Sequence, residues 1–245
     1  MSPEVPPPRS GFFSRLRDGL RKTRDNLVGT IEAVFSGTVI DEARPRMNNA
    51  SRVFTPAAQQ AQAERGSATA YEKRLTEGFP DTVTPELAAF IAELDTVFLG
   101  TATADGAPYI QHRGGPKGFI KMIDERTLGF ADYRGNRQYI TLANLSENDR
   151  AFLFLLDPGR RQRIKIWGRA RVVENDDALV ERLFDSGYKA RPERAILFTI
   201  DAWDVNCSQH IVTRFTEAEL ETAFTAIRAI CFASIPGRLA SMCSI

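Results

Sequence analysis

The middle of the chain consists of short runs in which apolar residues are dense or alternate with polar ones, a pattern that predicts β-strands. The Asp105–Gly106 pair lies between the first two runs and predicts a hairpin turn. Short strands separated by turns favour a closed antiparallel barrel, because closure leaves no unpaired strand edge. The six predicted strands cover residues 96–103, 107–113, 126–132, 150–156, 162–173 and 194–205.

Helical patterns flank these strands. Alanine and glutamine are abundant in residues 54–75, and Pro85 follows Thr84 where a second helix is predicted to begin. Residues 215–230 place Leu220 and Phe224 on one face and predict an amphipathic helix. We therefore expect a mainly β protein with flanking helices.

The first part of the chain has a different composition. Four prolines lie within residues 1–10, and residues 11–35 form a basic amphipathic pattern. Such a helix can contact an anionic membrane surface or pack on protein, and the sequence leaves both interpretations open. We expect residues 1–46 to be a fused or misassigned leader, with a genuine membrane-tethering extension as the alternative. The main domain is then 47–214, followed by a C-terminal helix and tail, 215–245.

Charge and composition exclude several classes of protein. Lys and Arg number 32 against 31 Asp and Glu, so the net charge of +1 gives no broad surface for nucleic acid. The three cysteines form no CxxC pair and the chain has two histidines, which argues against a structural metal site or a disulfide framework. No run approaches the ~18 apolar residues of a membrane span, and we expect a cytoplasmic protein.

One segment indicates an anion site. The third strand runs into a turn at residues 133–136, and a short helix is predicted from Arg137 onward. Free backbone amides at a helix N-terminus, flanked by Arg134, Asn136 and Arg137, favour phosphate. The alternative is a solvated turn whose arginines pair only with Asp132 and Glu147.

A second source of positive charge lies at the end of the second strand. Gln111, His112 and Arg113 precede the flexible pair Gly114 and Gly115, so Arg113 can approach the same anion across the sheet. Charge-assisted hydrogen bonds contribute roughly 1.5–3 kcal/mol each, so two or three arginines suffice as a phosphate anchor.

Four segments together resemble the pyridoxamine 5'-phosphate oxidase-like superfamily of split barrels that bind flavin mononucleotide (FMN). The resemblance covers about residues 54–214 and implies a six-stranded antiparallel split β-barrel. It also implies a homodimer with two FMN sites at the subunit interface. The segments are DGAPYIQHR (105–113), FADYRGNRQ (130–138), NLSENDRAFLFL (144–155) and RQRIKIWGRARVV (161–173).

The resemblance also assigns residues to the cofactor. Arg113 and Arg137, with Asn136 beside it, match basic positions that hold the FMN phosphate. The backbone at Ala131 and Asp132 is expected along the isoalloxazine edge. Arg163 falls where the oxidase presents glutamine to the ring. Independently of the resemblance, the negative charge of reduced flavin favours a nearby cation such as Arg163 or Lys165. The full set of expected cofactor residues is Gln111, His112, Arg113, Ala131, Asp132, Arg134, Asn136, Arg137, Arg163 and Lys165.

The resemblance implies an FMN-dependent oxidoreductase that performs two-electron chemistry on an unidentified small molecule. The alternative is a flavin or small-ligand carrier or sensor without turnover. His112 and His210 are weak candidates for a proton donor, and each is also interpretable as a structural histidine. The oxidase's Arg-x-His pattern lacks its arginine here, so pyridoxamine phosphate is not the expected substrate.

The leader has a resemblance of its own. The segment FFSRLRDGLRKTRDNLVG (12–29) resembles the start of the bacterial signal recognition particle receptor. That family's GTPase activity needs a GxxxxGK[ST] loop, and the sequence contains none. GTPase function is therefore not expected.

Overall fold

The computed structural model describes residues 49–233. Seven strands form one antiparallel sheet with the order β2-β1-β5-β6-β7-β4-β3. All six predicted strands are present, and the sequence missed only the two-residue strand β3. Their bounds are β1 (Thr96–Ala102), β2 (Pro108–Gly114), β3 (Lys121–Met122), β4 (Thr127–Tyr133), β5 (Arg150–Asp157), β6 (Gln162–Val173) and β7 (Pro192–Asn206).

Seven helices flank this sheet in the described part of the chain. The predicted helix over 54–75 is two helices, because Gly66 adopts a left-handed φ of +70° between them. The helix predicted at Thr84 begins there, and the Thr84 hydroxyl accepts a hydrogen bond from the Leu87 amide at 3.3 Å. The helices are α1 (Ala50–Val53), α2 (Pro56–Glu64), α3 (Ala68–Glu77), α4 (Pro85–Ala92), α5 (Ile140–Glu147), α6 (Asp177–Leu183) and α7 (Glu217–Ala233).

Alternate residues of the strands form the core. Val97 and Leu99 of β1 and Leu153 and Leu155 of β5 are fully buried. Each such side chain stabilises the fold by ~1.5–3 kcal/mol relative to exposure. Trp203 of β7 is also buried, and its indole N–H donates to the Thr82 carbonyl at 2.8 Å. The sheet thus has one apolar inner face, which α4 covers.

The strand ladder is not fully closed, which agrees with the split barrel that the family resemblance implied and differs from the closed barrel that the strand pattern alone favoured. The hydrogen-bonded order of the described strands ends at β2 on one side and at β3 on the other. A side-chain ion pair between Arg113 of β2 and Asp132 of β4 joins the two sides instead. The barrel is therefore split, and charged groups lie at the opening.

Residues before the sheet are anchored to its last strand. The Asn49 amide donates to the carbonyls of Phe79 at 3.0 Å and Asp201 at 2.7 Å. Its side-chain oxygen accepts from the Phe79 amide at 2.7 Å, and Arg52 pairs with Asp201 at 2.8 Å. These contacts make the segment from Asn49 part of the folded domain.

Several sequence predictions fall outside the described residues. These are the leader of residues 1–46 with its basic amphipathic segment, its resemblance to the receptor, and the end of the C-terminal tail. Within residues 49–233, no helix combines the length and apolar character needed to cross a bilayer.

Candidate functional site

Asp132 lies at the centre of the charged opening. It is 8% exposed, and one carboxylate oxygen accepts a hydrogen bond from Arg113 Nη1. Its partner in the β4–β7 register is Arg194, whose Nε lies 3.7 Å from the other oxygen. Burial raises the pKa of Asp132, and the nearby Arg113 and Arg194 guanidinium groups offset this only in part.

Arg194 connects this pair to the remaining charged groups. Its Nη2 donates to Glu193 at 2.9 Å, and its Nη1 lies 3.1 Å from Glu174. The guanidinium also stacks 5.5 Å above the ring of Tyr139. With 9% exposure, Arg194 is a buried cation held by partners from three segments.

Two of the predicted arginines lie at the rim of this group. Arg134 Nε is 3.7 Å from Glu193, and Arg137 Nε donates to the Tyr139 hydroxyl at 3.0 Å. Both side chains belong to the exposed turn after β4. We call Arg113, Arg134, Arg137 and Arg194 the arginine cluster.

The structure therefore brings together most of the predicted phosphate residues and adds one. Arg113, Asp132, Arg134 and Arg137 are connected through contacts to Arg194, which sequence reasoning missed. The only local sequence signal for Arg194 is that a charged residue lies at the start of an apolar strand. Its contact with Asp132 depends on the β4–β7 register, which the local sequence does not show. The alternative interpretation named Glu147 as an arginine partner, whereas Arg134 pairs with Glu193.

The predicted helix start is wrong. α5 begins at Ile140, and Arg137 and Tyr139 have left-handed φ values of +61° and +56°. The Asn136 side chain accepts from the Gln138 amide at 3.2 Å and thereby shapes this turn. The residues expected to form the first helical turn are an irregular, exposed loop.

The cluster has the donors that a phosphate group needs. The Nε atoms of Arg113 and Arg194 are buried and have no hydrogen-bond partner. Guanidinium groups bind phosphate through paired N–H donors, so each buried arginine retains unused capacity. Arg113, Arg134 and Arg194 contact Asp132, Glu174 and Glu193, and Arg137 joins the cluster through Tyr139, so its formal charge balance is 4 − 3 = +1. The residues present fit a phosphate.

The edge of β4 offers backbone groups beside the cluster. One edge pairs with β7 along its length, whereas on the other edge β3 covers only Leu128 and Gly129. Beyond Gly129, the described strands leave that edge unpaired, including the backbone at Ala131 and Asp132. Unpaired strand groups are natural hydrogen-bond partners for a planar heterocycle.

Gln111 is held on the cluster side of β2. Along this strand, Gln111 and Arg113 share one face, and His112 lies on the other. The Thr141 hydroxyl of α5 donates to Gln111 Oε1 at 2.7 Å. A second buried hydrogen bond, from Asn144 to Thr101 at 3.0 Å, fixes α5 against β1. The orientation of Gln111 is therefore set by a packed helix.

Arg163 and Lys165 lie on the outer face of β6, on the opposite side of the strand from the buried Ile164 and Ile166. Lys165 lies 5.1 Å above the Trp167 ring and 3.7 Å from Asp204. None of these contacts reaches the arginine cluster, so the structure does not place all ten predicted residues in one site.

An aromatic face lies next to Lys165 on the same side of the sheet. We define it as the half-buried outer residues Phe98, Phe152, Phe154 and Trp167. The rings of Phe152 and Trp167 are 5.2 Å apart, and those of Phe98 and Phe154 are 6.5 Å apart. An outer sheet face of this composition is apolar enough to bury against another surface.

The two histidines are apart from the cluster. His112 is exposed, and its ring is 5.9 Å from that of Phe98 on the outer sheet face. His210 is exposed in a left-handed turn with a φ of +62°. The described contacts give neither histidine a position beside Asp132.

An open antiparallel sheet with a charged, partly buried cluster at its opening defines the fold class as a split barrel. The model of the pyridoxamine 5'-phosphate oxidase family matches residues 83–207, just over half of the chain. The chain belongs to this family, as the sequence resemblance predicted. No curated protein matches the chain.

Several solved structures are similar at low identity. HupZ from Group A Streptococcus is 14% identical over 54% of this chain and 98% of its own, with a TM-score of 0.42. An FMN-binding protein from Syntrophomonas wolfei is 14% identical over 60% and 97%, with a TM-score of 0.40. A general stress protein 26-related protein from Clostridium acetobutylicum is 17% identical over 55% and 94%, with a TM-score of 0.38.

Proposed function

We propose that this protein is an FMN-dependent oxidoreductase that acts on a small molecule. The observation that carries the proposal is the pair of buried arginines, Arg113 and Arg194, whose Nε atoms lack hydrogen-bond partners. They lie beside an unpaired strand edge in a member of the oxidase family. The name of the FMN-binding structural neighbour agrees with this choice of flavin.

The proposed site residues form two groups: one binds the FMN phosphate, and the other contacts the isoalloxazine ring. Arg113 and Arg194 hold the phosphate from two strands, and Arg134 and Arg137 add positive charge at the rim. The open edge of β4 at Ala131 and Asp132 provides hydrogen-bonding groups to the heterocycle, and Gln111 faces the same side. When bound, FMN supplies the two-electron chemistry, while the chain binds and orients it.

We further propose a homodimer formed through the aromatic face. This face extends to Ile110 on the edge strand β2, which is 70% exposed. A second copy would bury these rings and bring Arg163 and Lys165 into the interface. Cations there would stabilise negative charge on a reduced flavin shared between subunits.

One observation favours a carrier or sensor without turnover. Neither His112 nor His210 contacts the arginine cluster, so the described residues offer no histidine as a proton donor beside it. A flavin held there without a nearby histidine can still exchange electrons, which is sufficient for a carrier or sensor.

Purified protein incubated with FMN and passed through a desalting column tests the proposal. We expect it to retain flavin absorbance in the visible range and to oxidise reduced nicotinamide cofactor in air. If the protein retains flavin but oxidises no reduced nicotinamide cofactor in air, the result would favour the carrier. Failure to retain FMN would contradict both functions.

A further inference from the structure

Asp132 occupies the position that an anion would take between two buried arginines. We propose that Asp132 is an internal competitor that holds Arg113 and Arg194 until a phosphate displaces it. This inference rests on the proposed function in one respect, since it takes the phosphate to be that of the flavin. It assigns Asp132 a role in setting affinity, beyond the backbone contact expected from the sequence.

The geometry of the carboxylate resembles that of a bound anion. One oxygen accepts from Arg113 of β2, and the other faces Arg194 Nε of β7 at 3.7 Å. The side chain thus bridges two strands that share no ladder. A phosphate oxygen bound to either guanidinium must compete with this carboxylate for the same donors.

Arg194 has more ion-pair partners than Arg113 among the described contacts, and this difference indicates how a phosphate can displace Asp132. Arg194 keeps Glu193 and Glu174 as further partners, so it stays in place when Asp132 leaves. Arg113 has Asp132 as its ion-pair partner among the described contacts, so loss of this one contact makes its donors available to a ligand. Arg113 is therefore the arginine released to the phosphate.

Charge explains why the competitor matters. With Asp132 ionised, the arginine cluster and its carboxylates sum to +1, as counted above. Neutralising Asp132 raises this sum to +2 and removes the negative charge nearest to the incoming dianion. Attraction between charges a few ångströms apart at a partly buried site amounts to several kcal/mol before solvation costs, so removing the repulsion should be readily measurable.

The first test compares Asp132→Asn with the wild-type protein by titration with FMN and with riboflavin. Asparagine keeps the shape and can accept from Arg113, but it carries no charge. We expect FMN to bind about tenfold more tightly or better, and riboflavin to bind as before. The matched control is Asp149→Asn, which removes an exposed carboxylate paired with Arg169 at 2.9 Å and should change neither affinity.

Two results with a folded Asp132→Asn protein would overturn the inference. Unchanged FMN affinity would mean that Asp132 does not compete with the phosphate, and weaker FMN binding would mean that Asp132 contributes to the binding site. Equal strengthening of FMN and riboflavin would also overturn it. Failure of wild-type protein to bind either flavin would instead contradict the proposed function, and the sulfate test described next would still decide the role of Asp132.

The second test uses sulfate, which remains a dianion in mildly acidic solution. Burial raises the pKa of Asp132, so sulfate should bind wild-type protein more tightly as the pH falls from about 7 to about 4. The groups that face Asp132 are Arg113 from β2 and Arg194 and Glu193 from β7, with Arg134 and Tyr139 behind them.

The Glu193→Gln variant distinguishes the contribution of the Glu193 carboxylate from that of the Asp132 carboxylate. It should retain a pH dependence of sulfate binding, whereas Asp132→Asn should lose most of it. Sulfate affinity that is independent of pH in wild-type protein would overturn the inference, even if the Asp132 variant failed to fold. If the pH dependence of sulfate binding is lost only in Glu193→Gln, Glu193 is the competing carboxylate, and the inference for Asp132 is overturned.

Discussion

Burial distinguishes Arg113 from the rim arginines. Its side chain is 13% exposed, whereas Arg137 is exposed and lies on a loop with left-handed backbone. A charge-assisted hydrogen bond from a buried donor contributes roughly 1.5–3 kcal/mol, and an exposed one is weakened by water and salt. The two positions should therefore differ in their effect on the same ligand.

Arg113→Ala should weaken FMN binding by about 10- to 150-fold while leaving riboflavin, which has no phosphate, nearly unaffected. Arg137→Ala should produce a smaller loss with the same selectivity. Fluorescence titration of both flavins measures these affinities. Arg160→Ala is the control, since Arg160 pairs with Asp157 and Glu93 and should change neither. Equal losses for both flavins would place the phosphate elsewhere.

A second residue-scale prediction concerns Asp204, whose pKa is raised by burial despite Lys165 and Arg74 at 3.7 Å each. Because the folded-state pKa exceeds the unfolded one, protonation favours the native state. The free energy of unfolding relative to Asp204→Asn should therefore increase as the pH falls from about 7 to about 4. Urea denaturation at several pH values measures this difference.

Asp105 provides the control of opposite sign. The Thr103 hydroxyl and backbone amides lower the pKa of Asp105. Wild-type protein should therefore lose stability relative to Asp105→Asn as the pH falls. If the stability difference between wild type and variant changes with pH in the same direction for Asp204→Asn and Asp105→Asn, the assignment for Asp204 is contradicted.

Local sequence identified Arg113, Arg134 and Arg137 because each lies at the end of a strand or in a glycine turn. Arg194 could not be found in this way, because its importance comes from its position opposite Asp132 in the β4–β7 register. Register between strands about 60 residues apart is set by packing of the whole sheet. Arg163 and Lys165 show the converse, since strand alternation places them on the outer face although both were expected at the cofactor site.

At the scale of elements, β6 bends at a bulge between Trp167 and Gly168. A Cβ at Gly168 would lie 2.1 Å from the Thr199 carbonyl oxygen and 2.5 Å from the Phe198 ring. Backbone on one side and a core ring on the other leave no room for relaxation. The bend therefore requires glycine and allows β6 to curve across the barrel.

Gly168→Ala should destabilise the protein by about 3 kcal/mol or more. Thermal and urea denaturation measure this loss. Gly135→Ala is the matched control, because a Cβ there meets nothing within 4 Å and the φ is not left-handed. A Gly168→Ala protein as stable as the Gly135 variant would contradict the bulge geometry.

Element boundaries followed the sequence where a strong local signal existed. Thr84 and Pro85 fixed the start of α4, and the Asp105–Gly106 turn fixed the β1–β2 hairpin. The helix predicted from Arg137 failed because left-handed residues on an exposed loop leave no periodic pattern. β3 was missed for a similar reason, since two residues are too few to show alternation.

At the scale of the whole molecule, the proposed dimer makes a prediction for the aromatic face. Ile110→Glu places a charge on the exposed outer side of β2 and should shift the protein to a monomer in sedimentation analysis. Val212→Glu is the control, because Val212 is 71% exposed, as Ile110 is 70%, but lies beyond the sheet. A wild-type monomer that binds FMN fully, or a dimer unaffected by Ile110→Glu, would contradict the proposal.

The position of β7 in the sheet has a consequence for the timing of folding. β7 is the last strand of the described residues, yet it lies between β6 and β4. Until it leaves the ribosome, β4 has only the two-residue β3 as a neighbour, and Asp132 has no Arg194 beside it. At about 5–20 residues per second, the roughly 60 residues from Asp132 to Arg194 take some 3–12 seconds to synthesise. A nascent chain therefore completes its arginine cluster, and with it the proposed phosphate site, only when β7 is inserted.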